Sequence, residues 1–149
     1  MSFPDVWVAV MFKEILIPTD GSEGARRGIE HALDLGEKYD ARIHTLYVVD
    51  ETVYATPALS GDELFLEELE KDGEATCEEV VSAGTERGLE VVSECVRGNP
   101  HQEIIDYADE NDIDLIVMGK HGASDHRHHH IGSCTDRVLR LANVPVLPV

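Results

Sequence analysis

The chain has 149 residues, the size of one domain with one core. Its 42% hydrophobic content is ordinary for a globular protein, and no apolar run reaches the roughly 18 residues that a membrane span needs. Thirty acids face twelve bases, for a formal charge of −18, which sets the chain against nucleic acid as a partner and makes it repel itself in dilute buffer.

Such a surface suits a salt-rich cytoplasm, where the Debye length falls to about 3 Å at 1 M. The composition therefore reads as halophilic, with an ordinary acidic cytosolic protein as the alternative. The first ten residues include Val6, Trp7, Val8, Ala9 and Val10 but lack a basic leader and a small-residue cleavage site. A cytoplasmic location follows. Residues 1–10 read as an N-terminal extension, disordered or from a misassigned start, or else as an added strand or an interface segment; residues 11–149 read as the domain. Cys77, Cys95 and Cys134 are odd in number and widely spaced, so they predict free thiols, buried or half-buried, and no disulfide framework.

From Glu14 onward, apolar β-branched runs alternate with helical patterns. Glu14 to Pro18 reads as the first strand. Thr19-Asp20-Gly21-Ser22 is a turn in which Ser22 can cap a helix, and that helix places Ala25, Ile29, Ala32 and Leu33 on one face. Ala41 to Val49 is the second strand, followed by a loop from Asp50 to Gly61. Asp62 to about Gly88 is a long acidic helix whose apolar stripe is weak, with Gly73 and Gly84 as interruptions. Leu89 to Val96 is the third strand. Pro100 opens the next helix, where its missing N–H costs nothing, and Ile104, Ile105 and Ala108 form the inner face. Asp114 to Met118 is an unbroken apolar strand, which predicts burial on both faces. Thr135 to Asn143 is the last helix, expected to bury Val138, Leu141 and Ala142. Val144 to Val149 closes the chain as a fifth strand. The alternation predicts an α/β fold: an open five-stranded parallel sheet with helices on both faces, Rossmann-like, in strand order 3-2-1-4-5.

Ligands of such sheets bind beyond the carboxyl ends of the strands, where the winding reverses. The segment at that place is Met118-Gly119-Lys120-His121-Gly122, nine residues, then Gly132-Ser133. Glycines admit backbone close to a ligand, and Gly132 and Ser133 at a helix start can offer N–H groups and a hydroxyl to phosphate oxygens. The alternative is that the glycines serve only tight turns. Between Gly119 and Arg140 there are four bases (Lys120, Arg127, Arg137, Arg140) and two acids (Asp125, Asp136), a local excess of positive charge in an acidic chain. It reads as electrostatic focusing of an anion, or as chance clustering.

The pattern Gly-x2-Gly-x9-Gly-Ser resembles the nucleotide signature of the universal stress protein family. Ile15-Leu16-Ile17-Pro18-Thr19-Asp20-Gly21-Ser22, Leu46-Tyr47-Val48-Val49, Gly98-Asn99-Pro100 and Val144-Pro145-Val146-Leu147 resemble that family in place as well. The resemblance runs from about residue 13 to the end and points to the UspA-like, ATP-binding subgroup. It implies an adenine nucleotide as ligand: ATP, AMP or ADP, with Mg²⁺ accompanying ATP. It puts Pro18, Thr19 and Asp20 beside the adenosine, the backbone of Val48 on the adenine edge, and Met118 and Gly119 near the ribose. Gly122, Gly132, Ser133 and Cys134 would surround the phosphates, with His121 in the same loop. It also implies a homodimer through the C-terminal strand, although Pro148 lacks a ladder N–H there. The protein partner is not readable from the residues.

His121, His126, His128, His129 and His130 depart from the family pattern. They read as a solvated loop, as phosphate contacts charging near pH 6.5, or as a metal site. No Walker A loop, nucleophile elbow, HExxH or paired catalytic carboxylates occur, so no catalytic residue is assigned. The function expected is a regulatory or stress-response module that binds ATP, at most a weak ATPase; the third reading is a nucleotide-free structural dimer.

Overall fold

The computed structural model describes residues 12–51, 62–121 and 131–149. The N-terminal extension, most of the loop after the second strand, Gly122 and His126 to His130 lie outside the described residues. The elements are β1 (Glu14–Pro18), α1 (Glu23–Tyr39), β2 (Arg42–Asp50), α2 (Asp62–Glu86), β3 (Val91–Gly98), α3 (Pro100–Glu110), β4 (Leu115–Met118), α4 (Ser133–Leu141) and β5 (Val146–Pro148). The sheet is parallel, in order β3-β2-β1-β4-β5, as the alternation predicts.

Period-two alternation divides the core. Ile15, Ile17, Ile43, Leu115 and Val117 face α1 and α2 and meet Ala32, Leu33 and Val80. Leu16, Leu46, Ile116 and Met118 face α3 and α4 and meet Ile104, Tyr107, Ala108 and Val138. All four residues of β4 are buried, as its apolar run requires. Right-handed crossovers carry the chain outward from β1 over one face, then back across β1 to β4 over the other. The winding therefore reverses between β1 and β4, which pair through Ile15 with Leu115 and Leu16 with Ile116.

Local chemistry sets the start of α1. The Asp20 carboxylate accepts from the Ser22 N–H at 2.9 Å, and the Ser22 hydroxyl accepts from the Ala25 N–H at 3.2 Å. Gly21 sits at φ 78°, where a side chain would be strained. Pro100 is at the first turn of α3, as expected.

Two expectations need correction, and the open edge is defined more closely. Gly73 and Gly84 do not weaken α2; they seat it. A Cβ on Gly73 would stand 2.5 Å from the Tyr47 ring, and one on Gly84 would stand 2.4 Å from Val91 Cγ2. Their absence lets the helix lie close to β2 and β3, a gain that offsets their cost in helix propensity of roughly 0.5–1 kcal/mol each. Leu141 is 55% exposed rather than buried. It ends α4 beside the edge strand β5, where no described element covers it, and Leu147 on β5 is also exposed. Lastly, the N–H groups of Val149 and Lys120 bond to Met118 and Val149 carbonyls, so the N–H missing at Pro148 belongs to the open edge. An added strand there gains one ladder bond fewer.

Burial also holds a polar set that periodicity does not reveal. His44, 4% exposed on β2, has Nδ1 2.8 Å from the Tyr107 hydroxyl and Nε2 2.6 Å from the Glu14 carboxylate. Each ring nitrogen finds a partner, as a buried imidazole requires. Cys77 is buried and Cys95 and Cys134 half-buried, all free. Among the described residues, no helix is long and apolar enough to cross a membrane.

Candidate functional site

A cleft of about 490 Å³ opens at the carboxyl ends of β1, β2 and β4. Its size is that of a small-molecule site. Pro18, Thr19 and Asp20 enter it from the end of β1 and Val48 from β2. Met118, Gly119 and His121 enter from the end of β4, and Gly132, Ser133 and Cys134 from the start of α4. The fold thus brings ten of the eleven sequence-predicted residues to one place, and Gly122 lies outside the described residues.

The cleft has two unlike kinds of lining. Leu46, Val48, Ile104 and Met118 supply an apolar wall, and Pro100 closes it from α3. Leu46, Ile104 and Pro100 lie on elements that spacing did not connect with the glycine loop. The N-terminus of α4 also lines it and has no side-chain cap. The Gly132 carbonyl already accepts from the Asp136 N–H at 2.9 Å. The Ser133, Cys134 and Thr135 N–H groups precede the first intrahelical donor and point out of the helix start. Together with the helix dipole they favour an anion.

Two of the signature glycines act differently from expectation. The Gly132 N–H is spent on the Lys120 carbonyl at 2.5 Å, which pinches the loop at its base. The donors left for a ligand are therefore those of residues 133 to 135. A Cβ on Gly119 would stand 2.6 Å from the backbone of Gly24. What Gly119 admits is the first turn of α1. Thr135 fixes the same corner, its buried hydroxyl donating to the Gly119 carbonyl at 2.8 Å.

Two acids share the cleft with the start of α4. The carboxylates of Asp20 and Asp50 line it, and Asp50 at the end of β2 was not singled out by spacing. Burial pushes the Cys134 thiol up to about 11, Asp20 and Asp50 add to that shift, and Arg137 opposes it. Burial and then Asp20 also raise Tyr47. Of the bases in the locally positive segment, Arg140 is committed to Asp136 at 3.1 Å.

The thiol shifts carry a pH signature. Burial, with Cys77 and Glu70 adding to it, also pushes Cys95 to about 11. Above the ordinary thiol value of about 9, the unfolded chain loses these protons before the folded one, so the folded state holds more protons and stability falls as pH rises. The denaturation midpoint is expected to be flat to about pH 8 and to drop between about 9 and 11. Cys95→Ser with Cys134→Ser is expected to reduce the drop, with Cys77 and Tyr47, which burial also raises, carrying the remainder; an unchanged slope would show that other groups carry it.

Similar proteins agree with this architecture. The sequence model of the universal stress protein family matches residues 11–149. A universal stress protein of Methanocaldococcus jannaschii, MJ0531, is 34% identical over 93% of this chain and 82% of its own. YxiE of Bacillus subtilis is 30% identical over 93% of this chain and 99% of its own. Among solved structures, UspA from Lactobacillus plantarum superposes with a TM-score of 0.87 at 27% identity, covering 94% of this chain and 99% of that one. Two more distant folds, at 21% and 20% identity, are universal stress proteins solved with cAMP and with dAMP. With the family match spanning residues 11–149 and the sheet order in agreement, the chain belongs to the universal stress protein family.

Proposed function

We propose that this chain is a regulatory module that binds an adenine nucleotide, ATP foremost, rather than an enzyme that turns it over. One observation carries the reading: a single cleft joins an apolar wall sized for a base to an uncapped helix start suited to phosphate. The base would rest on Leu46, Val48, Ile104 and Met118, and the Asp20 carboxylate would take ribose hydroxyls. The first phosphates would meet the N–H groups of residues 133 to 135 and the Ser133 hydroxyl.

Among the described residues, no cluster of three or more metal-ligating side chains exists. Mg²⁺ would therefore be held chiefly by phosphate oxygens and water, with Asp20 or Asp50 as protein ligand, a usual arrangement for this ion. The exposed Leu141 and Leu147 beside β5 support pairing of two copies along that edge, and sedimentation of the purified chain tests it: a monomer at all concentrations and salts would remove the homodimer.

The direct test is to purify the chain in molar salt, denature it and identify released nucleotide by chromatography and mass, then titrate ATP into the empty protein. Near-stoichiometric adenine nucleotide, or micromolar binding of ATP, is expected. Folded protein that takes no nucleotide at any salt concentration would overturn the proposal.

A further inference from the structure

Gly119 and Thr135 are 16 residues apart in sequence, one just after β4 and the other in the first turn of α4. The buried Thr135 hydroxyl nevertheless donates to the Gly119 carbonyl at 2.8 Å. Both residues line the cleft, and Thr135 is 3% exposed. A threonine at a helix start beside a phosphate seat would ordinarily be read as a phosphate donor. A hydroxyl has a single proton to give, and here the Gly119 carbonyl has taken it. What this side chain contributes to the cleft is therefore position.

The Gly119 carbonyl is a fixed point. The Val149 N–H donates to the Met118 carbonyl on one side of it, and the Lys120 N–H donates to the Val149 carbonyl on the other, both at 2.9 Å. Gly119 also lies against Gly24 in the first turn of α1. The backbone of residues 118 to 120 is thus held by the residue after β5 and by α1 together. The helix α4 has less support. It is nine residues long, and within it only Thr135 and Val138 are buried. Val138 packs with Ile104 and Tyr107, an apolar contact that has no direction of its own. The Thr135 hydrogen bond has both a length and a direction.

We infer that Thr135 is the positioning residue of the phosphate seat: its hydroxyl ties the free N–H groups of residues 133 to 135 to the Gly119 backbone, at a set distance from the nucleoside part of the ligand. The inference rests on the nucleotide reading above and deepens it. Without the hydroxyl, the helix start keeps the Gly132 N–H on the Lys120 carbonyl and the packing of Val138, about which its first turn can rotate. Donors that turn away from the ligand lose phosphate and leave the base and ribose contacts as they were.

The test is calorimetric titration of the full chain with ATP and with adenosine, which shares the base and ribose but has no phosphate. The wild-type chain is expected to bind ATP at least about tenfold more tightly than adenosine, the size of one charge-assisted contact. Thr135→Val is expected to lower ATP affinity about tenfold and adenosine affinity less than about twofold. Thr135→Ser restores the hydroxyl and is expected to bind ATP within about threefold of wild type. Thr135→Ala leaves the Gly119 carbonyl unpartnered without pressing a methyl group on it, and is expected to show the same split as Thr135→Val. Thermal denaturation shows which variants are folded at the titration temperature, and either of these two suffices. A merely structural threonine would lower the denaturation midpoint and leave the ratio of ATP to adenosine affinity unchanged, and that result overturns the inference. So does a folded Thr135→Ser variant as weak for ATP as Thr135→Val, or a wild-type chain that binds ATP and adenosine equally. A folded wild-type chain that binds neither overturns the nucleotide reading itself, and this inference with it.

Discussion

Gly132→Asp is expected to lower ATP affinity by about 100-fold or more while leaving the fold as stable as before. The two effects separate because Gly132 is the N-cap of α4 with φ −60° and ψ 153°, a conformation open to any residue. Aspartate is a favoured N-cap, so the helix start gains a partner for its free N–H groups. Those are the groups proposed to hold phosphate, and the new carboxylate both occupies them and repels the ligand. Gly132→Asn makes the same cap without the charge and is expected to lose less affinity. Calorimetric titration beside thermal denaturation checks both arms. Undiminished ATP binding by a folded Gly132→Asp variant would place the phosphates elsewhere.

Gly24→Ala is expected to destabilise the chain by about 1–3 kcal/mol, the cost of forcing a methyl group into filled space. The added Cβ would meet the His121 carbonyl oxygen at 2.4 Å, and a backbone oxygen cannot rotate away as a side chain can. Gly119→Ala meets Gly24 at 2.6 Å from the other side and is expected to cost a similar amount. Gly28→Ala is the contrast. Its Cβ would lie 3.4 Å from the Gly119 nitrogen, an ordinary contact, and alanine is the better helix former by roughly 1 kcal/mol, so this variant is expected to be neutral or more stable. Urea denaturation at fixed high salt measures all three. Equal shifts for Gly24→Ala and Gly28→Ala would mean that the first turn of α1 does not seat against the loop. Nucleotide affinity of Gly24→Ala is expected to fall as well, because the added methyl group would push on His121, which lines the cleft.

Much of this architecture was legible in the residues alone. Alternation in Ile15-Leu16-Ile17 and in Leu115 to Met118 assigns each side chain to a face, because a strand has a period of two and both faces are covered. Ser22 and Pro100 mark helix starts through local hydrogen bonding and a fixed φ, which depend on near neighbours only. Glycine spacing after an apolar strand located the cleft, because the reversal of winding puts ligands there in any sheet of this kind.

What glycine spacing could not say is which backbone fills the space of the missing Cβ. Gly119 admits α1, and Gly73 and Gly84 admit strands, since close approach is decided by elements far apart in the chain. Leu141 reads as inward by helical period yet is exposed, because period gives a direction and only the neighbours decide whether anything lies in it. Asp50, Ile104 and His44 gained their surroundings in the same way. Local rules act through a few bonds and are written in order along the chain; contacts between distant segments exist only once the sheet has closed.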